Sequence, residues 1–191
     1  MQIEPAHFSD QVYAALKAAF SELLQANPDQ SFYAFALFTD DSLQFLHAVA
    51  NSEEGLTSTV KHYRKTVDPK YGTTSTRSGM RWSYGDWSFF PEVGAAHFGE
   101  INEALRANFD NDEETFNQVT ESLWPAILKA FQRLEDEHFF DAGPARTKIT
   151  LLPVGDLPSE LIDHWVLTLN PPDVAHRFIH WDTEAMDDTS V

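Results

Sequence analysis

The stretch SFYAFALFTDDSLQFLHAVANS, residues 31–52, decides the fold. From Phe32 to Phe38 apolar side chains occupy both parities, and the small residues Ala34 and Ala36 share one of them. A strand with one wet face alternates; this run does not, so it predicts a central strand covered on both faces. The two alanines leave room on one side for a closely packed helix. Leu43 to Val49 reads as a second strand. The short link at Asp40, Asp41 and Ser42 makes the pair a hairpin.

Helical patterns lie on either side. Before the hairpin, Phe8, Val12, Leu16, Ala19, Phe20, Leu23 and Leu24 recur at helical spacing and stop before Pro28. After it, NSEEGLTSTVKHYRK opens a helix capped by Asn51 or Ser52, and Asn51 with Glu54 has capping-box spacing. TVDPKYGTTSTRSG then reads as a long loop. Phe98, Ile101, Leu105 and Phe109 mark another helix. Phe116 to Leu134 marks a long one, with Asp112 as N-cap and Pro125 as a kink or restart. Lys148–Leu152 and HWVLTLNPP are expected strands, and DVAHRFIHW a short helix. The fold class is α+β: a single domain, residues 1–182, with a mostly antiparallel sheet packed against several helices. Residues 183–191 are expected to form a flexible acidic tail.

RWSYGDWSFF, residues 81–90, is the densest aromatic stretch. Met80, Trp82 and Tyr84 share one parity, and Trp87 and Phe89 the other. A regular strand cannot hold both sets on one face. A bulge with Gly85 at positive φ, or a bent strand, is the expected solution, with most of the aromatics in the core. An exposed platform built on Arg81, Trp82, Tyr84, Asp86 and Trp87 is the competing binding-site reading.

Tyr33, Phe35 and Leu37, then Asn51 and Glu54, then Arg81, Trp82, Tyr84, Asp86 and Trp87, and finally Leu169, Asn170 and Pro171 form an order of short motifs. This order resembles a bacterial family, the domain of unknown function numbered 4303, over roughly residues 8 to 172. No activity is assigned to that family, so no catalytic residue is carried over. Its members resemble small proteins encoded near contact-dependent or secreted toxins and their immunity genes. The resemblance therefore implies an immunity or antitoxin role.

Charge narrows the partners. Thirteen Lys and Arg face thirty Asp and Glu, for a net charge of −17. That field repels nucleic acid and anionic membrane. Six of the thirteen cations fall between Lys61 and Arg81, opposed there only by Asp68; the rest of the chain carries seven positive and twenty-nine negative charges. The acidic clusters Asp112, Glu113, Glu114 and Glu135, Asp136, Glu137 are binding candidates for a basic protein such as a toxin. With no Cys there is no disulfide, thiol nucleophile or thiolate metal site. No signal peptide or spanning segment is read, and a cytoplasmic address is expected.

Catalytic constellations are sparse. His176 and His180 stand i,i+4, but Arg177 occupies the place of a metalloprotease glutamate. His97 and Glu100 stand three apart near a helix start. His47 lies mid-strand and reads as a hydrogen-bonded interior residue. No metal, no cofactor and no catalytic set is expected. The leading expectation is a non-enzymatic protein-binding function of the immunity or inhibitor type. A small hydrolase using His and carboxylates, or a structural or regulatory subunit, is the alternative.

Overall fold

β1 (Phe32–Asp40) runs through the middle of a four-stranded sheet in the computed structural model, which describes residues 3–181. The order is β3-β2-β1-β4, with β2 His47–Ser52, β3 Phe89–Val93 and β4 Thr150–Asp156. β1 pairs antiparallel with β2 and parallel with β4, and β2 pairs antiparallel with β3. The sheet is mostly antiparallel and belongs to a single α+β domain, as the sequence predicts. The segment 183–191, expected as a flexible tail, lies outside the described residues.

Both faces of β1 are covered. Phe35 and Leu37 enter the larger core with α1 (Pro5–Ala26), α4 (Gly99–Phe109) and α5 (Glu113–Asp136). Phe20, Phe35 and Phe140 meet there edge to face or tilted, with centroids 5.0 to 5.8 Å apart, the arrangement ring quadrupoles favour. Ala34 and Ala36 lie in the second core with Leu56 and Val60 of α2 (Glu53–Thr66), Met80 of α3 (Thr74–Trp82) and Ala175 of α7 (Pro172–Ile179). α6 (Ser159–Leu169) packs on β4 and serves both cores, giving Trp165 and Leu169 to one and Val166 to the other.

The hairpin is offset from its expected position. Leu43–Leu46 is irregular, and β2 starts at His47. Leu43 and Leu46 are still buried, because α4 supplies the missing partner: Leu46 N–H donates to Asn102 Oδ1 (2.7 Å) and Asn102 Nδ2 to the Leu46 carbonyl (3.1 Å). A side-chain amide replaces a ladder rung there, so the apolar run continues while the strand does not. His47 sits half-buried at the strand start beside the Phe45 ring.

One expected strand is a helix, and one expected loop is largely helical. Residues 74–82 form α3, capped by Thr73 and preceded by a 3-10 turn, Pro69–Gly72, capped by Asp68. Their Ser, Thr and Gly content reads as loop; burying Met80 overrides that weak preference. HWVLTL lies in α6, where Trp165, Val166 and Leu169 are buried at helical spacing. That short run matches either period. At the start of α2 it is Ser52 that caps, accepting from Gly55 N (3.0 Å). Asn51 stays in β2, and Glu54 instead accepts the Ser31 N–H and hydroxyl. β4 begins two residues later than expected and runs further, to Asp156. α5 passes through Pro125 as one helix of 24 residues.

One buried cation joins three of these elements. Arg146, 4% exposed, lies in the 3-10 turn Gly143–Lys148 before β4. Its Nε donates to both oxygens of Glu135 (2.8 and 2.9 Å), Nη1 to the Ile149 carbonyl, and Nη2 to the Leu169 carbonyl (2.9 Å) and Asn170 Oδ1 (3.2 Å). Asn170 in turn accepts from Leu151 N (2.8 Å) and donates to the Leu151 carbonyl (2.7 Å). Arg146→Met removes the cation and leaves Glu135 and two carbonyls without it. We expect a loss of about 3 to 5 kcal/mol in urea unfolding, the range for breaking a buried pair on one side. A loss under about 1 kcal/mol would mean that α5, β4 and α6 hold their places without it.

Candidate functional site

RWSYGDWSFF is not one strand. Arg81 and Trp82 end α3, Tyr84–Asp86 is a 3-10 turn, and β3 begins at Phe89. Gly85 is absent from the positive-φ glycines, which are Gly94, Gly143 and Gly155. The slip in apolar parity thus comes from a change of secondary structure, not from a bulge. Trp87 is buried, whereas Trp82 and Tyr84 are only half-buried.

The polar atoms of this stretch knit into the sheet. The Arg81 carbonyl accepts from Tyr33 Oη (2.8 Å) and Trp87 Nε1 (3.0 Å). Tyr33 Oη accepts from Asn51 Nδ2 (2.8 Å), and Asn51 Oδ1 accepts from Ser88 N (3.3 Å). Burial pushes the Tyr33 phenol far up, so it stays a neutral donor. Asp86 receives the Tyr63 hydroxyl (2.6 Å) and the Ser83 hydroxyl (2.8 Å), binding the turn to α2. That hydrogen bond to Asp86 also raises the Tyr63 pKa.

The Arg81 side chain leaves the knot and faces a cleft. Its guanidinium lies 4.2 Å from the centre of the Tyr33 ring, and its Nη2 donates to both oxygens of Glu53 (2.6 and 2.9 Å). Arg77 also reaches Glu53, at 3.5 Å. The cleft, about 360 Å³, opens where β1 and β4 begin. Ser31, Phe32 and Tyr33 come from the β1 side, Glu53 from α2, Arg81 and Trp82 from α3, Lys148 from the end of the 3-10 turn before β4, Thr150 from the first position of β4, and Arg177 from α7. Trp82 is held as a wall by edge contacts with Tyr33 (5.9 Å) and Phe178 (4.9 Å). Lys148, Thr150 and Arg177 carry no motif in the sequence; only the parallel pairing of β1 with β4 and the packing of α7 bring them beside Arg81.

The acidic candidates stand elsewhere, at the two ends of α5. Its 24 residues separate them by about 36 Å at 1.5 Å per residue. At the start, Asp112 caps the helix by accepting from Thr115 N (3.1 Å) and the Thr115 hydroxyl (2.8 Å), and these bonds hold its carboxyl below the usual range. Glu113 and Glu114 are exposed beside it. At the far end Glu135 is committed to Arg146, and Glu137 accepts from Lys17 (2.5 Å) and Tyr13 (2.6 Å). The Lys17 bond lowers the Glu137 pKa, and the same bond raises that of Lys17. Asp136 is exposed.

The histidine pairs resolve differently. His97 Nε2 meets Glu22 Oε1 at 2.8 Å, rather than Glu100. The rings of His176 and His180 lie 4.3 Å apart. Among the described residues no group of three or more His, Asp or Glu is placed to hold a metal ion, and no helix is long and apolar enough to cross a membrane. Asp182, beyond the pair, lies outside the described residues.

A family model for the domain of unknown function DUF4303 matches residues 12–171. The chain belongs to this family. No curated protein and no solved structure matches it. In this DUF4303 chain six of the motif residues gather into two knots. Tyr33, Asn51, Arg81 and Trp87 share one hydrogen-bond network, and Leu169 and Asn170 meet at Arg146.

These placements separate the two tryptophans. Trp87→Ala empties a core site and takes one of its two donors from the Arg81 carbonyl, and should cost about 3 to 5 kcal/mol. Trp82→Ala trims a half-exposed cleft wall and should cost about 1 to 2 kcal/mol. Urea unfolding of both variants checks the order; equal costs, or Trp82 the larger, would contradict it.

Proposed function

We propose that this DUF4303 chain is a non-enzymatic protein-binding protein that engages a basic partner in a stoichiometric complex, in the manner of a toxin immunity or inhibitor protein. The observation that carries this reading is the corner between α4 and α5. Phe109 is 54% exposed there, with its ring edge-on to Phe116 at 5.3 Å. Asp110, Asp112, Glu113 and Glu114 are exposed around this corner. Among the described residues none of these four carboxylates has an ion-pair partner. An aromatic anchor with a charged rim is the usual anatomy of a protein-recognition hot spot. The net charge of −17 supplies a field that steers a cationic protein toward it.

The rim and the anchor act on different rates. Rim charges set association and its salt dependence, while a buried anchor sets dissociation. The test captures proteins from the source cell at low salt and measures the purified partner by surface plasmon resonance across a salt series. Glu113→Gln with Glu114→Gln should slow association and flatten its salt dependence. Phe109→Ala should speed dissociation about tenfold or more. Co-expression of the protein should relieve growth arrest if the partner is a toxin. Unchanged kinetics in both variants, or no basic partner at low salt, would reject the reading.

A further inference from the structure

We propose that the cleft between α3, α7 and the starts of β1 and β4 is a second, independent site, and that it binds a small molecule carrying a phosphate or carboxylate group on a flat apolar body. The charge is the first argument. In a chain of net charge −17, three cations from three different elements, Arg81, Lys148 and Arg177, line one cleft of about 360 Å³. The opposing carboxylate there is Glu53, and it is already shared between Arg81 and Arg77. Lys148 has no ion-pair partner among the described residues, and the hydrogen bond that Arg177 makes goes to a neutral acceptor, the Thr147 carbonyl (3.1 Å). Gathering like charges in one cleft is unfavourable unless an anion joins them.

The second argument is Thr150. It lines the cleft and is fully buried, yet its hydroxyl has no hydrogen-bond partner among the described residues. Buried polar atoms are nearly always satisfied, and an exception calls for a reason. An oxyanion seated among Lys148, Arg177 and Arg81 would accept that hydroxyl once the Thr150 side chain turns toward the cleft. Ser31 cannot substitute, since its N–H and hydroxyl both serve Glu54 (2.8 and 3.0 Å). Tyr33 cannot either, since its hydroxyl donates to the Arg81 carbonyl.

The walls define the rest of the ligand. Phe32, Tyr33 and Trp82 are aromatic, and Trp82 is fixed by its edge contacts. A ring can lie against them while its anionic substituent reaches the cations. The volume is at the small end for ligand sites, which admits one ring and one anionic group but not a dinucleotide. Arg81 is preorganised by Glu53 and by the Tyr33 face beneath it, so little freedom is lost on binding.

The test is calorimetric titration of the full chain with phenyl phosphate, benzoate and inorganic phosphate at low salt. One equivalent of phenyl phosphate or benzoate should bind, about tenfold or more tighter than inorganic phosphate; which of the two wins tells phosphate from carboxylate. Lys148→Gln with Arg177→Gln should weaken binding about tenfold or more. Thr150→Val keeps the buried shape and should weaken it several-fold while the unfolding midpoint holds. Phe109→Ala should leave all three titrations unchanged, which separates this site from the protein-binding corner. Three results would overturn the proposal: no saturation by any probe up to about 10 mM, binding unaltered in the double variant, or inorganic phosphate bound as tightly as the aromatic probes.

Discussion

A buried guanidinium cannot shed its charge, and much of this fold is arranged around that fact. Arg146 presents five donors in a rigid fork and stays protonated at any working pH. The fold answers with a carboxylate from the end of α5, a carbonyl beside the start of β4, and a carbonyl and an amide from the end of α6. The acceptors come from three elements, so satisfying the cation fixes their relative positions. The start of β4 is then set against β1, and Lys148 and Thr150 are carried to the rim and wall of the cleft. The residue that positions the cleft's β4 side thus never touches the cleft.

What could be read in the sequence follows from how local its cause is. The amphipathic stripes of α1 and α5 are set by residues three and four apart, and the Asp112 cap by its own neighbours; both are legible from the chain alone. So is β1, since seven residues apolar on both parities admit few other readings. α3 is not legible, because its Ser, Thr and Gly carry weak preferences and its one buried side chain, Met80, matters only once the second core exists. α6 fails for the opposite reason: its apolar residues fit either period over so short a run. Within the cleft, Arg81 and Trp82 stand out as part of an aromatic motif. Lys148, Thr150 and Arg177 do not, because their proximity is created by long-range pairing. Arg146 gave no hint, as an arginine in a Pro- and Gly-containing turn ordinarily points to water.

The aromatic stretch 81–90 divides its labour by exposure. Trp87 is spent on the core, and its indole N–H closes the carbonyl that ends α3. Trp82, one turn away, keeps part of its surface open and borders the cations. Charge is divided in the same way. Carboxylates dominate the ends of α5, while cations collect where β1 and β4 begin. Such a division makes the field over the surface uneven, so that ligands of opposite sign are drawn to different places.

Asn170 has a consequence beyond its bonds to Arg146. Both of its amide atoms engage the backbone of Leu151, on the flank of β4 that faces away from β1. A terminal strand with free N–H and C=O groups is a template for another chain, and proteins blunt such edges to avoid sticking to their own copies. Here one side chain stands in for a rung of the missing neighbour, and α6 lies over the same strand. The sheet is sealed against growth on that side, which leaves β3 as the flank at which an incoming segment could add to it.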